Sequence, residues 1–212
     1  MFRTDKRHAD GVFNALWNDP DHPPWDVKNT PIEYAKVRIL EPYLAPVRSV
    51  IDVACGGGDF LDLVAAKASF EHVVGVDIAE KALMRARRTG RYHELVRAPI
   101  DRSHEHTART FDLVLLAECL QYVDDWPFAL AKVADTLVAP RGLLFIAVAV
   151  GRRYMRERDV ETMKTLLLRK RFDCVEDRRL DYAWLGLVPR RLLPFAPLYF
   201  QTHKAVLLYR RS

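Results

Sequence analysis

A cluster of glycines between two patterned runs carries the plainest chemistry in this sequence. Gly56, Gly57 and Gly58 follow the strand-like residues 50–53 and precede an amphipathic run over residues 59–67. Glycines let the backbone turn sharply and approach a ligand closely. The first turn of a helix then presents unpaired N–H groups and a partial positive charge to an anion. The pattern predicts a strand, a ligand-binding turn and a helix.

Acidic residues near this turn indicate which kind of ligand it binds. A dinucleotide fingerprint has the form G-x-G-x-x-G, but here Leu61 occupies the third glycine position. Asp52 precedes the glycines inside the strand, and Asp77 ends the next apolar run. A carboxylate at the end of that strand can accept both hydroxyls of a ribose, although an isolated aspartate there also suits a helix cap. Together with the glycines, Asp77 favours a nucleoside ligand.

The elements that must position these residues alternate along the chain. Runs typical of buried strands cover 49–53, 72–76, 93–97, 111–117 and 143–150, with later strands at 174–181 and 205–210. Helical patterns cover 32–40, 59–67, 80–88, 127–137 and 159–169. This alternation predicts an α/β fold with a mostly parallel sheet. In such sheets ligands bind beyond the carboxyl ends of the strands.

Length and composition restrict the class of protein. A chain of 212 residues that is 50% hydrophobic suits one domain with a sizeable core. No apolar run approaches the roughly 18–20 residues of a membrane span, and the charged first ten residues do not resemble a secretory signal. Cys55, Cys119 and Cys174 are far apart, which favours a reducing compartment. We expect a cytoplasmic protein, with monomer and homodimer both left open.

Charge is distributed unevenly along the chain. Residues 1–140 carry 17 Lys and Arg against 21 Asp and Glu, whereas residues 141–212 carry 16 against 7. The basic second part fits either a solvated surface or a site for an anionic acceptor such as a carboxylate, phosphate or phosphonate. Arg152, Arg153 and Arg169 are the candidate acceptor-binding residues in that part.

Two further motifs complete a resemblance to a known family. Residues 111–114 read F-D-L-V, and residues 137–143 read L-V-A-P-R-G-L before the fifth strand. With the acidic strand and the glycine turn, these motifs resemble class I S-adenosylmethionine (SAM) methyltransferases over roughly residues 47–150. Pro24-Trp25, Glu33, Lys36 and residues 117–122 more closely resemble the small nodulation-type N-methyltransferases.

The resemblance implies a fold and a domain plan. The expected fold is Rossmann-like, with a seven-stranded, mostly parallel sheet, an antiparallel final strand, helices on both faces and an N-terminal helical lid. One domain, residues 1–212, divides into a lid and cap (1–45), a SAM-binding core (46–150) and acceptor-side elements (151–212).

The resemblance also implies the residues that bind SAM. They are Asp52, Ala54, Gly56 and Gly58 around the methionine end, Asp77 at the ribose, Ile78 and Ile100 at the adenine, Glu118 near the methyl donor and Trp25 in the lid. Ala54 replaces a usual glycine, which a turn with negative φ would tolerate.

The implied reaction is methyl transfer to an O or N atom of a small polar metabolite, by in-line displacement that depends mainly on positioning. Glu118 and His203 are candidate general bases, and Trp17 and Tyr122 are candidate acceptor contacts. No metal is expected, since Ala117 stands where metal-dependent relatives carry an aspartate. An RNA or DNA methyltransferase and a non-catalytic SAM-binding protein are the alternatives; neither a nucleic-acid nor a membrane partner is expected.

Overall fold

The computed structural model describes residues 9–19, 24, 27–151, 154–181 and 203–212. The helices are α1 (Ala9–Leu16), α2 (Pro31–Leu40), α3 (Asp59–Ala65), α4 (Glu80–Arg88), α5 (Trp126–Thr136) and α6 (Glu157–Arg169). The strands are β1 (Ser49–Val53), β2 (His72–Asp77), β3 (Glu94–Arg97), β4 (Phe111–Ala117), β5 (Val138–Val150), β6 (Phe172–Leu180) and β7 (His203–Arg211). Short 3₁₀ turns cover Glu41–Tyr43, Ile100–His106 and Leu120–Tyr122.

All seven strands form one sheet in the order β3-β2-β1-β4-β5-β7-β6. β1 to β5 run parallel, and β7 lies antiparallel between β5 and β6. The expected seven-stranded Rossmann-like fold with an antiparallel final strand is therefore confirmed. β5 begins five residues earlier than predicted because Phe111 pairs with Val138 before a register shift, after which Leu113 pairs with Leu143.

Helices cover both faces of the sheet. On one face α5 and α6 pack through Leu130, Val133, Met163 and Leu167 against strand residues such as Ile51 and Ile146. On the other face α2 and α3 pack through Ile32, Leu40, Leu61 and Val64 against residues such as Val50 and Leu115. The strands are apolar on both sides, as buried parallel strands require. None of the helices in the described ranges is both long and apolar enough to cross a membrane.

The strand order reverses between β1 and β4. The chain continues from β1 toward β2 and β3 on one side and from β4 toward β5 on the other, so a crevice opens beyond the carboxyl ends of β1 and β4. The residue that follows each strand has a left-handed backbone: φ is 60° at Ala54 and 57° at Glu118. The expectation of a negative φ at Ala54 was therefore wrong. A left-handed alanine costs about 1–2 kcal/mol relative to the right-handed conformation, which the sharp turn off β1 imposes.

The N-terminal helix lies over this crevice. Phe13 of α1 meets Tyr122 edge to face, with ring centroids 5.9 Å apart. Trp17 is buried against Ala79 and Ala82, and the side-chain oxygen of Asn14 accepts the backbone N–H of Lys81. These contacts place α1 where the sequence expected a lid.

Gly75 lies in β2 where neighbouring side chains leave no room for a Cβ. A Cβ at this position would lie 2.7 Å from Leu95 Cδ2 and from the Tyr92 ring. We expect Gly75→Ala to lower the free energy of unfolding by about 1–3 kcal/mol through overpacking, measured by urea denaturation.

Gly11→Ala is the matched control, because no atom lies within 4 Å of a Cβ there. In helix α1 that change should leave stability equal or raise it by about 0.5–1 kcal/mol. Equal stabilities for the two variants would contradict the packing described for Gly75.

Candidate functional site

A cavity of about 710 Å³ occupies the crevice beyond β1, β2 and β4. Its volume lies within the range of small-molecule sites. Nine residues that the sequence proposed for a site line it: Trp17, Asp52, Ala54, Gly56, Asp77, Ile78, Ile100, Glu118 and Tyr122. Gly58 stands just behind the lining, as the left-handed N-cap of α3 with φ 85°.

Other proposed residues lie elsewhere. His203 does not line the cavity; its Nε2 faces Glu157 Oε1 of α6 at 3.3 Å. Burial and the nearby Arg179 lower the pKa of His203. Arg169 is exposed in the last turn of α6. That turn leads into the first residue of β6, at the amino ends of the parallel strands, whereas the cavity lies at their carboxyl ends. The structure thus does not bring His203 or Arg169 into the site. Trp25, Arg152 and Arg153 lie outside the described residues.

Asp77 ends β2 and anchors the glycine turn. Its Oδ2 accepts the N–H of Gly56 and its Oδ1 accepts the N–H of Ala79, both at 2.8 Å. Burial raises the pKa of Asp77, while these backbone hydrogen bonds oppose the rise. Each carboxylate oxygen keeps a second lone pair, so Asp77 can hold the turn and still accept hydroxyl groups from a ligand in the cavity.

Asp52 lies within β1 and is 2% exposed. The Tyr92 hydroxyl donates a hydrogen bond of 2.8 Å to Asp52 Oδ2. Burial raises the pKa of Asp52, the Tyr92 hydrogen bond lowers it and the negative charge of Asp77 raises it further. Together these effects raise the pKa to about 7. The site thus contains a carboxyl group that titrates near neutral pH.

Two side chains pack closely against the glycine turn because its residues carry no Cβ. A Cβ on Gly56 would lie 3.0 Å from the Trp17 indole, and a Cβ on Gly57 would lie 2.6 Å from the Arg85 side chain. The aromatic ring of Trp17 therefore lies against the turn. A cradle of this kind, with Asp77 beside it, fits a nucleoside-bearing cofactor such as SAM, whose sulfonium an aromatic face can favour.

Glu118 is held by two ammonium groups. Its Oε1 accepts from Lys36 Nζ at 2.9 Å, and its Oε2 accepts from Lys204 Nζ at 2.7 Å. Burial alone would raise the pKa of Glu118, but attraction to Lys204 and Lys36 outweighs it and lowers the pKa to about 2. A general base works best with a pKa near the working pH, so these contacts favour a positioning role for Glu118.

Lys36 also binds Glu33 Oε1 at 2.7 Å and has no exposed surface. Glu33, Glu118 and Lys204 line the cavity. Lys36 pairs with Glu33 and Glu118, and Glu118 also pairs with Lys204. We call these four residues the buried charge network. The pKa of Glu33 is raised by burial and by Glu118, against the effect of Lys36.

Sequence reasoning missed Lys204 altogether and used Lys36 only as part of a resemblance. Lys36 lies between Ile32 and Leu40 at four-residue spacing, so a lysine within an apolar helix stripe could have identified it. No sequence pattern indicated that Lys204, and not His203, faces the cavity. Successive strand side chains project to opposite faces, so His203 points to the α6 face while Lys204 points to the cavity.

The charged residues of the cavity wall are predominantly acidic. Among the described residues that line it, the basic ones are Arg102 and Lys204. The acidic ones are Glu33, Asp52, Asp59, Asp77, Asp101, Glu118 and Asp124. This excess of carboxylates favours ligands that carry positive charge or hydrogen-bond donors.

Comparison with known proteins agrees with the geometry. Residues 51–144 match a family described as a methyltransferase domain. The ubiquinone biosynthesis O-methyltransferases of Albidiferax ferrireducens and Bordetella avium are 28% identical over 162 residues and 33% identical over 104 residues. These matches cover 68% and 47% of this chain and 60% and 42% of the relatives. The chain thus spans less than two thirds of the length of either relative.

Solved structures share the fold over most of the chain. The N-methyltransferase NodS from Bradyrhizobium japonicum, in complex with S-adenosyl-L-homocysteine, matches with a TM-score of 0.70 at 20% identity, covering 95% of this chain and 97% of NodS. A SAM-dependent methyltransferase from Mesorhizobium loti matches with a TM-score of 0.65 at 20% identity, covering 87% and 100%. The resemblance to nodulation-type enzymes is confirmed at the level of the fold.

The buried charge network generates a stability prediction. Lys36→Met leaves Glu33 without its ammonium partner in a buried place, so we expect it to lower the free energy of unfolding by about 3–5 kcal/mol. Chemical denaturation measures the change.

Lys67→Met is the control. Lys67 pairs with Glu41 at 3.3 Å on the surface, where both side chains are more than 40% exposed, and its loss should cost at most about 1 kcal/mol. A Lys36→Met variant as stable as the Lys67→Met variant would contradict the assignment of a buried, mutually dependent network.

Proposed function

We propose that this chain, which matches a methyltransferase domain over residues 51–144 and shares the fold of NodS, is a class I SAM-dependent methyltransferase that transfers a methyl group from SAM to an O or N atom of a small polar molecule. The observation that carries the proposal is the combination at one cavity of the Gly56–Gly58 turn, Asp77 and the acidic strand residue Asp52. The free thiols Cys55, Cys119 and Cys174 fit a reducing compartment, and the cytoplasm is part of the proposal.

Different described residues bind different parts of the cofactor. Asp77 accepts the ribose hydroxyls while it holds the N–H of Gly56. The turn leaves room for the methionine end, and Ile78 and Ile100 supply apolar contacts for the adenine. When bound, SAM supplies a methyl group on a positively charged sulfur. The acidic cavity wall stabilises that charge.

Catalysis on this proposal depends on alignment rather than on Glu118 as a base. Lys36 and Lys204 fix both oxygens of Glu118, and Gln121 donates to Glu118 Oε2 at 3.1 Å. A fixed carboxylate can orient an acceptor hydroxyl or amine for in-line attack, and preorganised orientation lowers the barrier. α1, through Trp17 and Phe13, excludes water from the reacting atoms.

A more specific version of the proposal is that the methyl acceptor carries a negative charge. Lys204 and Arg102 are the described basic residues that could hold a carboxylate or phosphate in the cavity. The acidic majority among the charged residues of the wall supports a neutral or cationic acceptor more strongly. Methyl transfer to matched phenol, benzylamine and benzoate probes, followed as S-adenosyl-L-homocysteine release, separates these classes.

Cofactor binding tests the proposal directly. Asp77→Ala removes the carboxylate that would accept two hydrogen bonds from the ribose hydroxyls, each worth about 1.5–3 kcal/mol. We expect the dissociation constant for S-adenosyl-L-homocysteine, measured by calorimetry, to rise at least about a hundredfold.

Asp112→Ala is the matched control. Asp112 also accepts backbone N–H groups, from Arg48 and Ser49, but at the start of β4, away from the cavity. This variant should lose stability and keep its affinity. Absence of any binding of SAM or S-adenosyl-L-homocysteine by the unmodified protein would overturn the proposed function.

A further inference from the structure

Asp52 lines the cavity, whereas Tyr92 does not, and the hydrogen bond between them has no function assigned above. Asp52 on β1 pairs in register with Gly75 on β2, so the two positions share one face of the sheet. Gly75 leaves that face open, and the Tyr92 ring fills the opening. The Tyr92 hydroxyl thereby reaches Asp52 Oδ2 at 2.8 Å.

Tyr92 also supports the glycine turn. A Cβ on Gly58, whose φ is 85°, would lie 2.9 Å from Tyr92 Cε2. One side chain thus contacts both the strand that carries Asp52 and the residue that begins α3. Any displacement of Tyr92 would move the carboxyl of Asp52 relative to the turn.

The surroundings of Asp52 contain no described counter-charge. The titratable groups that interact with it are Tyr92, Cys55 in the turn, Asp77 at the end of β2 and Cys119 beyond β4. Each of these is neutral or negative. Arg85, which lies against Gly57, pairs with Asp59 instead. Buried carboxyl groups without a cation favour the protonated form, whereas a cation in the cavity would favour the ionised form.

We propose that Tyr92 is a positioning residue of the cofactor site, and that the Asp52–Tyr92 pair releases one proton when the positively charged cofactor enters the cavity. The inference rests on the proposed function. The O–H bond of the Asp52 carboxyl group breaks, its electron pair stays on the carboxylate and the proton passes to solvent. Tyr92 keeps donating its hydrogen bond and holds the new carboxylate in place.

The direction of the pH dependence follows from this exchange. The pKa of Asp52 without the cofactor is about 7, and a bound cation lowers it. Below both values the carboxyl is neutral with and without cofactor, so affinity gains nothing from its charge. As the pH rises toward 7, proton release becomes less costly and affinity increases, then levels off. SAM should bind about tenfold more tightly at pH 8 than at pH 6.

Calorimetry of SAM binding in two buffers with different ionisation enthalpies measures the proton directly. We expect nearly one proton released at pH 6 and little release at pH 8. Asp52→Asn should abolish the release from the protein, and what remains in that variant reports the titration of the ligand's own amino group. S-adenosyl-L-homocysteine, which lacks the sulfonium charge, should release fewer protons than SAM.

Tyr92→Phe separates positioning from simple packing. Removing the hydroxyl takes away a hydrogen bond that lowers the pKa of Asp52, so the midpoint of the pH dependence should move up by about one unit. A purely structural role would change stability and leave the midpoint in place. Tyr43→Phe is the matched control. The Tyr43 hydroxyl donates a hydrogen bond of 2.8 Å to Glu176 Oε1, and this pair lies away from the cavity.

The outcomes are distinct. SAM binding with no proton release at pH 6, or with equal release in the Asp52→Asn variant, overturns the inference while the proposed function stands. If Asp52→Asn does not fold, an unmoved midpoint in Tyr92→Phe overturns it equally. No binding of SAM or S-adenosyl-L-homocysteine at any pH overturns the proposed function, and this inference with it.

Discussion

Mutual neutralisation of four buried and partly buried charges, where α2 meets the sheet, constrains one side of the cavity. Glu33 and Lys36 come from α2, Glu118 follows β4 and Lys204 comes from β7. None of them is stable in that place alone, since an unpaired buried charge is costly. α2 must therefore dock with Lys36 inward, and β7 must lie with Lys204 toward the cavity. Glu118 has a left-handed backbone, and both of its carboxylate oxygens accept hydrogen bonds from these lysines.

The sequence was sufficient for the sheet and for the glycine turn with Asp77, because both depend on local patterns. Apolar periodicity located β1 and β4 to the residue, and the Asp77 carboxylate accepts a hydrogen bond from the turn. The charge network around Glu118 depends on contacts between distant segments. Lys36 and Glu118 are 82 residues apart, and Lys204 and Glu118 are 86 apart. Spacing along the chain holds no information about such pairs, and the choice between His203 and Lys204 turned on one residue of strand register.

Composition could not decide between a solvated basic surface and a site for an anionic acceptor, for a similar reason. The chain has a net charge of +5, and its excess of arginine and lysine lies after residue 140. Yet the charged residues among the described cavity wall are mostly acidic, and Arg169 is exposed in the last turn of α6. A count over a segment cannot show which way its members face.

Gly75 has a consequence for how this protein and its relatives can diverge. Tyr92 reaches Asp52 only through the space that Gly75 leaves open in β2. A larger side chain at position 75 and an aromatic ring at position 92 exclude each other, so the two positions are free to change only as a pair. We expect them to covary across homologous sequences, with a small residue at one accompanying a large residue at the other. The acidity of a residue in the cofactor cavity would then be inherited through two positions that never touch the cofactor.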